Sequence, residues 1–152
     1  MKTLASPQDK QEVLQRLAQL RGDSPRAWGK MTAPQMICHL SDAFRMMIAG
    51  KPVQARDNFF TRTVVKWVAL QAPMQWPHGI KGPPEVDQLI GGTRPDAFAS
   101  DQLELVSLTE QFSTKTDHLA ALEHPIFGKL TVEEWMRWGY LHMDHHLRQF
   151  GC

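Results

Sequence analysis

His142 and His146 lie four residues apart in a stretch with helical periodicity, which puts both imidazoles on one face about one turn from each other. That spacing suits chelation of a single cation. At 100° per residue the same face gathers Trp135, Trp138, Gly139 and Gln149, an apolar and aromatic stripe that turns the pair inward. Two buried imidazoles present four ring nitrogens that need partners. A divalent ion satisfies one nitrogen of each, and a neighbouring acceptor takes the other. A His-x-x-x-His pair is common by itself, and equally describes one satisfied core histidine and one at the surface. His39 adds the decisive weight, because it is the only other histidine on a strong apolar helical stripe. Metal sites between helices are built from side chains on facing helices, and three imidazoles leave a tetrahedral or octahedral ion with open positions. The pattern predicts an open divalent-metal site ligated by His39, His142 and His146.

The neighbours of these residues are read the same way. His145 is three residues from His142 and competes with His146 for the third position, but it falls nearer the edge of the stripe. Gln35, one turn before His39, and Gln149 are candidates to hold the second nitrogen of a ligand. Met36, Met46, Trp135 and Trp138 are candidates to wall the site and limit solvent. Asp144 points away from the histidine face and reads as solvated. His78, His118 and His124 read as surface or turn residues. Cys38 adjoins His39, yet consecutive helical residues diverge by 100°, so it reads as a buried thiol with no share in the site. No general base is identifiable, so the catalytic residues are left unassigned.

Helices must position this set. Ser6 as N-cap with Pro7 at the first helical position opens a helix through Val13, Leu14, Leu17 and Leu20, stopped by Gly22-Asp23-Ser24-Pro25. Thr32 with Gln35 resembles a capping box, and the helix it opens carries Met36, His39, Leu40, Ala43, Met46 and Met47 on one stripe before Gly50-Lys51-Pro52. A third helix is predicted over 58–71, with Phe60, Val64, Trp67, Val68 and Gln71 along one side. Five Pro and four Gly between 72 and 100 exclude any long regular element there. Trp76, Ile80, Leu89, Ile90 and Phe98 suggest that this loop packs onto the helices. Ser100 or Asp101 is expected to cap a fourth helix ending before Glu123-His124-Pro125. Thr131 with Glu134 opens the last helix, which runs to about Gln149. With no long period-two run, the reading is all-α over a single domain, 1–152, with any strand confined to short pieces of the 72–100 loop.

Composition narrows the partners. Seventeen Lys plus Arg against sixteen Asp plus Glu, with no basic block, make nucleic acid an unsuitable partner. No stretch reaches the ~18 apolar residues of a membrane span, and the first residues lead straight into charged helical sequence. Two cysteines without framework spacing fit a reducing compartment, so a cytoplasmic protein is expected.

Trp28-Gly29-Lys30-Met31-Thr32-Ala33, with Gln35-Met36 and Cys38-His39-Leu40, resembles the entry to the first ligand helix of the DinB/YfiT-like superfamily of metal-dependent proteins. Glu134-Trp135 and the run from Tyr140 through His142, His145 and His146 to Phe150 resemble its final helix, which supplies the other two ligands. The resemblance spans nearly the whole chain, to a branch without an assigned activity. It implies a four-helix bundle with a long crossover and room for an additional short helix, a bound zinc or nickel ion, and commonly a homodimer. It also implies a small-molecule substrate and a transferase or isomerase reaction in which the metal binds a low-molecular-weight thiol, and with the three-histidine site the expected function is group transfer or hydrolysis by activation of that thiol or water. Two other readings stay open: a non-catalytic module in which the ion staples helices together, and an oligomerising helical protein whose histidines are hydrogen-bonded core residues.

Overall fold

The computed structural model describes residues 1–49, 57–80, 82 and 84–152, and among them five helices and one short antiparallel strand pair make a helix-rich fold. Helix α1, Pro7–Gln19, starts where Ser6 Oγ accepts from the Asp9 N–H, and it buries Val13 and Leu17. Helix α2, Ala33–Ile48, opens with a complete capping box: Thr32 accepts from Gln35 N–H while Gln35 Oε1 accepts from Thr32 N–H. Its expected stop signal, Gly50-Lys51-Pro52, lies outside the described residues. Helix α5, Val132–Gln149, opens on the second box, Thr131 with Glu134, and buries Trp135, Met136, Trp138, Tyr140, Met143 and Leu147.

Helix α3, Lys66–Gln71, continues from a π-helical turn, Thr61–Val65, that has no side-chain cap. Only Leu70 of these eleven residues is fully buried, while Phe60, Val64, Trp67 and Val68 face solvent. The predicted third helix is present, and its apolar stripe points outward.

Helix α4, Phe98–Thr114, begins before the predicted cap at Ser100 or Asp101. Asp101 sits inside its first turn, where a carboxylate complements the helix dipole, and its Oδ2 accepts from the Asp96 N–H. Helices α2 and α4 pack together, α1 packs on α5, and α5 also touches α2 and α3, so that one apolar core joins all of them. Gly139 permits the tightest approach. A Cβ there would stand 2.7 Å from Leu4 Cδ1 and 3.0 Å from Phe112, closer than carbon atoms pack.

Two further expectations need correction. The strand pair is not in the 72–100 loop: Glu123–His124 (β1) pairs with Gly128–Lys129 (β2), closed by Gly128 at φ 65°. The Pro-rich loop packs less than its apolar content suggests. Trp76 and Phe98 rest against the core, whereas Ile80, Leu89 and Ile90 are exposed. Polar contacts hold its second half. Asp42 on α2 accepts from Arg45 at 2.7 Å, Gln88 Nε2 at 2.8 Å, Thr93 N–H at 2.8 Å and Thr93 Oγ1 at 2.7 Å. One carboxylate thereby fixes residues 88–93 beside His39, which is three residues earlier on the same helix. No helix among the described residues is long and apolar enough to cross a membrane.

Candidate metal centre

Helix α2 supplies His39, and α5 supplies His142 and His146 one turn apart. A ligand atom from each imidazole lies within 4.8 Å of those of the other two, in a region enclosed by protein, although part of each residue stays accessible to solvent. His39 Nε2 and His142 Nε2 are 3.1 Å apart. Two nitrogens bound to one cation at ~2.0–2.1 Å stand roughly 2.9 Å apart at a right angle and roughly 3.3 Å at the tetrahedral angle, so this pair is already at chelating distance.

The far side of each ring decides which nitrogen is free. Val86 C=O accepts from His39 Nδ1 at 2.6 Å, and since a carbonyl can only accept, the proton is on Nδ1 and Nε2 carries a lone pair. Gln149 Nε2 donates to Trp28 C=O at 2.9 Å, which turns Gln149 Oε1 toward His146 Nδ1 at 3.0 Å. His146 is thus also protonated on Nδ1, leaving Nε2 free. Gly29 makes room for this arrangement. Its φ of 79° is left-handed, and a Cβ there would overlap the Gln149 amide. His142 differs. Its Nδ1 is buried without a partner, and the ring is held by packing against Trp138, with centroids 5.1 Å apart, and Trp76, at 6.2 Å.

Burial lowers the pKa of His39, and burial together with the neighbouring imidazoles lowers those of His142 and His146 well below the ordinary histidine value. All three are neutral near pH 7. Three neutral imidazoles with converging nitrogens, two of them oriented by acceptors, are the donor set that a borderline divalent ion takes.

A family profile described as a protein of unknown function, DUF1569, matches residues 4–151. The chain belongs to the DUF1569 family. No curated protein and no solved structure matches it. The matched span of this DUF1569 chain includes His39, His142 and His146 together with Val86 and Gln149, which orient them.

Several neighbours take other roles than the sequence suggests. Gln35 does not reach the site, because its side chain closes the α2 capping box. Met36 and Trp135 are fully buried in the core and Met46 is packed at its edge, while Trp138 sets its ring 5.1 Å from that of His142. His145 stands beside the cluster, its ring 5.1 Å from that of His146 and its pKa pushed down to about 4, chiefly by burial. Asp144 is not simply solvated: it pairs with Arg16 at 2.7 Å and Arg148 at 2.9 Å, tying α1 to α5. His124 ends strand β1 and is buried, and its Nδ1 accepts from Ile126 and Phe127 N–H of the turn that follows, each at 3.2 Å. Cys38 is a buried thiol whose pKa burial pushes up to about 11.

Sequence reasoning missed an aromatic border. Trp28 stacks on His78 at 3.9 Å, and Trp28, Trp76 and His78 all lie about 6 Å from the His145 ring. His78 is an exposed turn residue, as expected, yet it is part of this border. Trp28 and Trp76 sit in segments without periodicity, where a large apolar side chain is the only signal that the loop docks.

Proposed function

We propose that this DUF1569 protein is a metal-dependent enzyme of the DinB/YfiT-like kind, performing group transfer or hydrolysis at a divalent ion held by His39, His142 and His146. In this reading α1, α2, α4 and α5 are the four helices of the bundle, α3 is the additional short helix, and residues 72–97 form the long crossover. One observation carries the proposal: three neutral imidazoles converge within 4.8 Å, and those of His39 and His146 have the far nitrogen already engaged. Among the described residues no fourth His, Cys, Asp or Glu joins the group, which favours an open site over a closed structural zinc.

A bound zinc or nickel ion supplies Lewis-acid activation of a low-molecular-weight thiol or water near neutral pH. The chain's own residues do the rest. Val86 C=O and Gln149 Oε1 keep the protons of His39 and His146 on Nδ1, so both rings stay neutral and aimed. Trp76 and Trp138 cover the His142 ring and exclude water from that side. A small-molecule substrate approaches along the border of Trp28, Trp76, His78 and His145.

Titration of cobalt-substituted protein with a low-molecular-weight thiol tests the reading. A sulfur-to-cobalt charge-transfer band is the expected result. An unchanged spectrum with cobalt retained would overturn thiol transfer and leave either hydrolysis by metal-activated water or a metal that only staples α2 to α5.

A further inference from the structure

The carbonyl that takes the His39 proton belongs to a short strap, residues 84–93, which opens with a 3-10 turn at Pro84–Val86. The strap is bonded chiefly to itself. Asp87 C=O accepts from the N–H groups of Ile90 at 2.9 Å, Gly91 at 3.0 Å and Gly92 at 2.9 Å, and Asp87 Oδ1 accepts from Leu89 N–H at 2.9 Å. A turn bonded in this way moves as one piece, so the place of Val86 C=O depends on what seats the whole strap on α2.

Asp42 is that seat. Its Oδ1 accepts from Arg45 Nη1 and Thr93 Oγ1, and its Oδ2 from Gln88 Nε2 and Thr93 N–H, so each oxygen takes two donors and the acceptor capacity of the carboxylate is filled. Arg45 is held in turn by Glu104 of α4 at 2.7 Å. The Gln88 amide serves through its donor, for Gln88 Oε1 is buried with no partner among the described residues. Gly92 leaves it room, since a Cβ there would overlap Gln88 Nε2. Asp42 and His39 are three residues apart on α2 and share a face, and the strap spans both, with Val86 on the ring and Gln88 and Thr93 on the carboxylate.

We infer that Asp42 is a positioning residue of the metal centre, which seats the strap so that Val86 C=O selects the His39 tautomer whose Nε2 lone pair can meet an ion. A neutral imidazole carries its proton on either nitrogen, and the acceptor it finds decides which. Released from Val86, His39 has a second partner in His142 Nε2, 3.1 Å from its own Nε2. A proton shared there leaves no lone pair for a cation. The effect of Asp42 on affinity rests on the metal-dependent function proposed for the three histidines, whereas its effect on the tautomer does not.

Long-range proton–nitrogen NMR of the imidazoles in metal-free full chain, paired with zinc competition against a chromophoric chelator, tests both effects. The parent should show His39 protonated on Nδ1 alone. Asp42→Asn turns an N–H2 group toward donors, so His39 should become a mixture of tautomers and zinc affinity should fall roughly 10-fold or more. Gln88→Leu keeps the carboxylate and its charge but removes one tie to the strap, and should act in the same direction. Because both act through one strap, the double variant should fall well short of the product of the two losses. His146, oriented by Gln149, should stay protonated on Nδ1 throughout. Far-UV circular dichroism verifies folding, and Gln88→Leu alone reads the same tautomer if Asp42→Asn does not fold. A His39 that keeps its proton on Nδ1 in the folded variants would overturn the inference even if zinc affinity fell, because that loss would be the direct field of the carboxylate on the ion. Unchanged affinity in variants of a zinc-binding parent would overturn it too. A parent that takes up no zinc, with a His39 tautomer that still shifts in the variants, would sink the metal reading and leave the role of Asp42 standing.

Discussion

Helices α5 and α3 carry similar messages in sequence and opposite fates in the structure. Each has tryptophan and aliphatic residues at helical spacing on one stripe, with a glutamine at the end of it, Gln149 in one and Gln71 in the other. The stripe of α5 is the wall of the core and the bed of two site histidines, while that of α3 faces water. Periodicity specifies that a face packs, and it does not name the partner. What separates the two is their ends. Thr131 and Glu134 box the start of α5, whereas α3 is entered through a π-helical turn with no side-chain cap. Helix α5 spans 18 residues against the six of α3 and can nucleate a core, so α3 is an adjunct laid on it.

Paired substitutions at the two tryptophans break this contrast most sharply. Trp135→Ala removes a side chain with no exposed surface and should cost about 3–5 kcal/mol of folding stability by denaturant titration. Trp67→Ala, measured on dilute protein, should fall within about 0.5 kcal/mol of the parent. Equal losses would mean that the α3 stripe is core after all.

The two glutamines give the next comparison. Gln149→Leu removes the acceptor for His146 Nδ1 and the donor to Trp28 C=O, and should weaken metal affinity about 10–100-fold with little change in helix content. Gln71→Leu on the outer stripe should leave metal affinity as it was. Competition with a chromophoric chelator reads both.

How far the sequence reaches is clear from these residues. The caps at Ser6, Thr32 and Thr131 were legible because each is a local device within four residues, and His39, His142 and His146 because two apolar stripes aim them inward. Val86 could not be foreseen. Its contribution is a backbone carbonyl, which any residue possesses, delivered by a loop whose anchor is Asp42 on a different element. Gln35 was legible twice, as cap and as second-nitrogen partner, and the local use prevailed because its reach to Thr32 N–H is fixed by the helix itself. Trp28 and Trp76 lie in aperiodic segments, so their contacts with the histidines depend wholly on tertiary structure.

The smallest effect separates a buried histidine at the end of β1 from one at the surface. Burial pushes the His124 pKa down to about 3, while the unfolded chain takes up the same proton near 6.5. The unfolded state therefore binds more protons between those values. The stability tied to neutral His124 is fully present above pH 6.5 and is lost as pH falls toward 3, at no more than about 1.4 kcal/mol per pH unit. His124→Asn, whose Oδ1 replaces Nδ1 as acceptor for the Ile126 and Phe127 N–H groups, should make acid unfolding less steep by one proton. His78→Asn, at an exposed turn, should leave the slope unchanged.

The central claim is that three imidazole nitrogens on α2 and α5 hold one divalent ion, and X-ray absorption at the metal edge of protein purified without an affinity tag tests it most directly. The account predicts one ion per chain, three imidazole nitrogens at ~2.0–2.1 Å for zinc, and loss of the ion in His142→Ala but not in His145→Ala. Undiminished metal content in His142→Ala, or no ion retained after reconstitution with zinc or nickel, would contradict it.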